Sequence, residues 1–264
     1  MLRVHSIYIY PIKSLSGILV KEIEIDAKGL KGDREFILVD ENSQMITQRK
    51  YPELTRFKTE FQEGQLRVLD FPSGDQIMIQ EAFNGKKNIQ VLVWDDLLIL
   101  DELNPLISQW FTDKLGFKVF LLKFKEGEIR EINPKYQGEF SKTIRFVDGM
   151  PISILSTGSF RKLQDYYGNY NWQRFRANLI IENDIPHQED DWMVIQIGKV
   201  KLQSKKLCKR CNLITVDPDS GIVDSNLLKT LATYRSWDNH IYFGNQFVPI
   251  NSGKIQLDDS ITIQ

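Results

Sequence analysis

A mainly β fold with some helices, an α+β chain, is what this sequence predicts. Three observations carry that expectation. Short runs rich in β-branched and aromatic residues recur in both halves. Clusters of Gly, Asn, Asp and Pro separate them at close spacing. Helical periodicity with start and stop signals is confined to a few segments. Close spacing of strands and turns favours an antiparallel sheet or barrel over βαβ units.

The strands begin at the amino terminus, where Met1-Leu2-Arg3-Val4-His5 leads into Ile7-Tyr8-Ile9-Tyr10. Further strand runs are 23–26, 36–39, 65–69 and 76–79, separated by turn-forming stretches such as Lys28-Gly29-Leu30-Lys31-Gly32-Asp33 and Ser73-Gly74-Asp75. Asp101-Glu102-Leu103-Asn104-Pro105 reads as a helix start. Leu106, Trp110, Phe111 and Leu115 then share one face, and Gly116 ends the element. A strand at 117–122 follows, then a charged, Gly- and Pro-bearing stretch from Lys125 to Thr143. The pattern restarts with a strand at 151–155 and a helix from Thr157 through Tyr167. Strands at 179–181, 193–197 and 200–202, a helix at 226–235, and strands at 254–257 and 261–263 complete the chain. This organisation predicts two units, residues 1–122 and 123–264, with the boundary near 120–130. No repeat of 20 to 50 residues is visible.

With 34 basic and 35 acidic residues among 264, the net charge is −1, so the overall field does not draw the chain to nucleic acid or an anionic membrane. Any anion site must be local. No apolar run approaches the roughly 20 residues of a membrane span, and the amino terminus has no signal-peptide plan. The 2 cysteines form no disulfide framework, which favours a reducing compartment; the expectation is cytoplasmic.

Both cysteines lie in Cys208-Lys209-Arg210-Cys211-Asn212-Leu213-Ile214-Thr215-Val216-Asp217-Pro218-Asp219-Ser220-Gly221. Thiolate reactivity depends on nearby positive charge, which Lys209 and Arg210 provide, and thiolates suit soft transition metals. A structural zinc site lacks a second Cys pair or paired His. A dithiol redox pair requires a helix after the second Cys, and the residues that follow do not predict one. Two inert thiols are the third reading, against which stand Lys205, Lys206, Lys209 and Arg210.

The segment resembles the signature of the MOSC family, the molybdenum cofactor sulfurase carboxy-terminal domain, through Arg210-Cys211, Thr215-Val216-Asp217-Pro218-Asp219 and Ser220-Gly221. Tyr10-Pro11-Ile12-Lys13-Ser14, Gly29-Leu30, Gly32-Asp33-Arg34 and Thr47-Gln48-Arg49 are similar to the β-barrel domain that precedes MOSC in the mitochondrial amidoxime reducing components and their bacterial relatives. Ile154-Leu155-Ser156, Arg174-Phe175-Arg176-Ala177-Asn178 and Phe243-Gly244 with Phe247 look like further family blocks, so the resemblance covers nearly the whole chain.

The resemblance implies an amino-terminal β-barrel-like domain followed by a MOSC β-barrel domain. It also implies a molybdenum-molybdopterin cofactor, with Cys211 as the metal's protein ligand. Lys13, Ser14, Arg34, Arg176 and Asn178 would contact that cofactor, beside Arg210 and the lesser candidates Arg49, Ser156 and Thr157. Asp217 is a candidate proton relay and equally an ordinary turn former. The implied activity is an oxidoreductase that reduces N-hydroxylated small molecules, amidoximes and hydroxylamines. Electrons would come from a separate carrier of ferredoxin, flavodoxin or cytochrome type, because the sequence has no cysteines for a cluster. The alternative is a non-catalytic carrier of cofactor or sulfur that uses Cys211.

Overall fold

The computed structural model describes residues 2–80, 85–125 and 127–264. Its largest element is a nine-stranded sheet. Eight of the strands run in the order Ile18–Val20, Arg3–Ile9, Leu179–Glu182, Ile152–Ser156, His240–Pro249, Val200–Arg210, Val194–Ile197 and Ile261–Ile263, and Ser236–Trp237 pairs with His240–Pro249. The expected strand at the amino terminus is Arg3–Ile9; Met1 lies outside the described residues.

All neighbours in this sheet are antiparallel except Ile152–Ser156 and Leu179–Glu182, which run parallel. The spacing argument against βαβ units fails here. Residues 157–178, long enough for a helical crossover, connect the two strands.

The first half contributes smaller sheets: Phe36–Asp40, Val119–Phe124, Asp96–Glu102 and Ile89–Val93 form one, and Phe57–Gln62, Gln65–Asp70 and Gln76–Met78 another. The two halves exchange strands. Arg3–Ile9 pairs with Leu179–Glu182, and Gly253–Gln256 near the carboxyl end pairs with Glu22–Asp26. One apolar core accordingly joins Val4, Ile7, Leu54 and Phe57 to Ile152, Ile181 and Phe247. Each such side chain contributes about 1.5–3 kcal/mol on burial. The expected boundary at 122/123 falls inside the strand Val119–Phe124.

Helix α1 spans Pro105–Leu115, with the Asn104 side chain accepting from the Leu106 N–H and Gly116 closing it at φ 75°. Ile107 and Phe111 supply its buried face, whereas Leu106 in the first turn is 73% exposed, contrary to the one-face reading. Helix α2, Thr157–Tyr167, starts on the Ser156 cap, and α3 is Asn226–Arg235. The long strand His240–Pro249 was not anticipated, because its polar residues and glycine break the apolar run.

Cys208 closes one side of a bulge in that sheet. Leu207 pairs with Asn245 and Lys209 with Tyr242, so Phe243 and Gly244 together oppose Cys208. Gly244 adopts φ 81°, and a β-carbon there would lie 2.6 Å from the Ile154 carbonyl oxygen. Such a bulge turns the strand and re-aims the residues that follow, here Cys211. Gly244→Ala is expected to cost about 1–3 kcal/mol from the backbone conformation alone, and more from the clash. Urea unfolding measures this; an unchanged midpoint would contradict it.

Candidate functional site

Strand pairing brings distant sequence blocks together. Ile7 is in register with Leu179, so the residues leaving the first strand, Lys13 and Ser14, lie beside those entering the second, Arg176 and Asn178. Ile12 bridges to Phe36 and the Arg34 N–H donates to the Tyr10 carbonyl, which draws in the Arg34 turn. A cavity of about 300 Å³ opens between these residues and the end of the Val200–Arg210 strand. Lys13, Ser14, Arg34, Arg49, Arg176, Asn178, Arg210, Cys208 and Cys211 all line it.

Three of the lining residues hold left-handed backbone without being glycine: Ser14 at φ 68°, Arg34 at 49° and Arg176 at 50°. Strain of this kind costs about 1–3 kcal/mol per residue and collects where a side chain must be aimed. Arg34 and Arg176 lie over the buried ring of Tyr10, at 4.3 and 4.2 Å from its centroid. Arg34 is held by the Asp33 carboxylate and donates to the Arg176 carbonyl at 2.9 Å; Arg176 donates to the Leu15 carbonyl at 2.6 Å. Burial, then the charge of Arg34, pulls the Arg176 guanidinium down to about 10.

Lys13 is buried and donates to the Phe146 carbonyl at 2.8 Å and to Asp148. Burial lowers its pKa against the pull of Asp148. For Asp148, burial pushes the carboxyl up, but Lys13, Arg49 and Arg34 outweigh it and hold it at about 2. Asp148 is not among the residues the sequence singles out. Arg174 was quoted only as part of a block, yet it lines the cavity and binds Asp217 at 2.8 Å.

Cys211 is exposed and extended, at φ −127°, between the strand and a 3₁₀ turn, Asn212–Thr215. That turn corrects the expectation that nothing helical follows Cys211, although it is one short turn and not the helix of a dithiol site. Arg49 Nη1 donates to its sulfur at 3.9 Å. Arg210 donates to the carbonyls of Phe243 and Phe175, both at 2.9 Å. Cys208 is buried, which raises its thiol pKa against the opposing charge of Arg210, and Gln246 donates to its sulfur at 3.5 Å.

Ser156, Thr157 and Asp217 are not among the lining residues. Ser156 Oγ bonds to the buried Glu189 carboxylate at 2.7 Å and caps α2, and Thr157 donates to the Asn183 carbonyl at 3.1 Å. Their hydroxyls are committed to the helix start. Asp217 accepts from the Ser220 N–H and hydroxyl, both at 2.9 Å. Burial raises its carboxyl, and the Ser220 bonds with Arg174 outweigh that, so it stays ionised as a turn anchor. Asn178 lines the cavity, but its Oδ1 accepts from Ser153 and its Nδ2 donates to the Tyr8 carbonyl, all at 3.2 Å.

Residues 1–118 match the MOSC N-terminal beta barrel domain and residues 141–262 match the MOSC domain. The chain belongs to the MOSC family. It is 28% identical over 262 residues to a molybdenum cofactor sulfurase of Arabidopsis thaliana, covering 90% of this chain and 32% of that protein. This MOSC chain therefore spans about a third of the plant protein's length. To mitochondrial amidoxime reducing component 2 of Bos taurus it is 29% identical over 247 residues, covering 89% of this chain and 73% of the relative. To the human component 1 it is 27% identical over 275 residues, covering 98% and 82%.

A molybdenum-bound pterin with its phosphate needs cations, hydrogen-bond donors and a thiolate. Arg176 Nη2 and Arg210 Nη2 are buried without a partner among the described residues, and both side chains line the cavity. Buried guanidinium donors of this kind are costly unless a ligand supplies acceptors. No three His, Cys, Asp or Glu side chains among the described residues group to hold a metal ion, so a metal at Cys211 must bring most of its own ligands. The cavity residues fit the group on both counts. Among the described residues no helix is long and apolar enough to cross a membrane.

Proposed function

We propose that this MOSC chain binds a molybdenum-molybdopterin cofactor in the cavity and reduces N-hydroxylated small molecules, with electrons from a separate carrier protein. The observation that supports it most is the meeting of an exposed Cys211 thiol with Lys13, Arg34, Arg176 and Arg210 in one cavity, although the blocks lie far apart in sequence. A net charge of −1 gives no general anion affinity, so these four cations around one thiol form a local anion site.

When bound, the cofactor supplies the two-electron oxygen acceptor; the protein binds and orients. Cys211 would hold the metal, and Arg34, Arg176 and Arg210 would supply donors to the phosphate and the pterin's polar edges. The overall change consumes one N-hydroxyl compound, two electrons and two protons, breaks the N–O bond and yields the amine and water. Lys13 is the buried proton-bearing group on hand. Asp148, held ionised by Lys13, Arg49 and Arg34, orients it through their ion pair.

The test uses protein purified from a host that makes the cofactor. Near-stoichiometric molybdenum and pterin, with amine produced from a hydroxylamine under a chemical one-electron reductant, is the expected result. Cofactor release to an apo-enzyme with no amine formed would favour the carrier reading instead.

A further inference from the structure

Trp94 occupies the two-residue turn that joins Ile89–Val93 to Asp96–Glu102, where Val93 pairs with Asp96. Its backbone is left-handed, at φ 60°. Turns of this kind normally take Asn, Asp or Gly at that place, because a bulky side chain is strained there. The side chain is not spent on core packing: Trp94 is 38% exposed. Its ring lies 4.6 Å from the Arg49 guanidinium and 5.8 Å from Lys13 Nζ.

Arg49 reaches Cys211 Sγ at 3.9 Å through Nη1 and Asp148 at 4.0 Å through Nη2. Both contacts are long for hydrogen bonds. Among the described residues, the guanidinium has no shorter polar contact than these, so the stack on Trp94 is the contact that fixes its plane. The thiol comes from the second half of the chain, and both Arg49 and Trp94 come from the first.

We propose that Trp94 is a positioning residue: its indole holds Arg49 beside the Cys211 sulfur, so that a hairpin of the first half sets a fixed positive charge at the reactive atom of the second. The strained turn is the means of aiming the ring. This inference does not depend on the reductase reading, because it concerns the cofactor-free thiol.

The experiment compares the rates at which anionic iodoacetate and neutral iodoacetamide alkylate Cys211 in cofactor-free protein, read by peptide mass. The ratio of the two rates reports local potential and cancels both access and thiolate fraction. Arg49→Ala is expected to lower the ratio about threefold, the effect of one nearby charge after screening by solvent and salt. Trp94→Asn keeps a residue suited to the turn and removes the ring; it should lower the ratio as far as Arg49→Ala does, and Trp94→Phe should restore it. A wild-type ratio in Trp94→Asn would overturn the proposal, and so would an unchanged ratio in Arg49→Ala.

Discussion

Cys211→Ala protein is expected to fold as the wild type does and to lose more than about a hundredfold of its rate with a hydroxylamine. The stability side follows from exposure. Cys211 is exposed and in ordinary extended backbone, and its long contact with Arg49 is its only side-chain hydrogen bond among the described residues. Substitutions at such positions stay within about 0.5 kcal/mol. The activity side follows from the proposed role of Cys211 as the metal's protein ligand. Removing a group that merely supports a metal ligand already costs roughly 10–100-fold, so removing the ligand costs more. Steady-state amine formation on both proteins, with melting curves as the folding control, gives the comparison. Comparable rates would place the chemistry elsewhere in the cavity.

Arg176→Met should weaken cofactor retention by about ten- to a hundredfold, the loss of one charge-assisted bond of roughly 1.5–3 kcal/mol. The cofactor-free variant should nevertheless melt no lower than the wild type. Loss of solvation, then the charge of Arg34, lowers the Arg176 guanidinium from its ordinary value to about 10. A base with a depressed folded pKa penalises the folded state fully below the folded value, and the penalty fades only as pH rises from about 10 toward the ordinary arginine value. At ordinary pH the whole penalty is present, and a bound anion relieves it. Methionine removes the charge and keeps much of the volume, at the loss of the bond to the Leu15 carbonyl. Equilibrium dialysis of the cofactor and a thermal melt without it test the two halves separately. A variant that is both much less stable and equally retentive would make Arg176 a structural residue.

Much of this architecture was legible because local chemistry and tertiary structure agree. Asn104-Pro105 and Gly116 are end signals whose meaning does not depend on the partner, and α1 starts and stops on them. The parallel pair Ile152–Ser156 and Leu179–Glu182 was not legible, since pairing direction is set by which strands meet in the sheet. The same divide runs through the site. Lys13, Arg34, Arg176 and Cys211 were found through the family pattern and meet at one cavity. Ser156 and Thr157 carried the right residue type in the right block, but a buried carboxylate, Glu189, and the Asn183 carbonyl take their hydroxyls, which only the fold reveals. Asp148 and Trp94 were invisible for the opposite reason. Trp94 ends an apolar run and Asp148 belongs to no family block, and the importance of each lies in a partner contributed by another segment: Lys13 for Asp148 and Arg49 for Trp94.

X-ray absorption at the molybdenum edge of the holoprotein and of reconstituted Cys211→Ala tests the central claim most directly. The account predicts three sulfur ligands in the wild type, two from the cofactor and one from Cys211, and two in the variant. The same sulfur count in both proteins would contradict it.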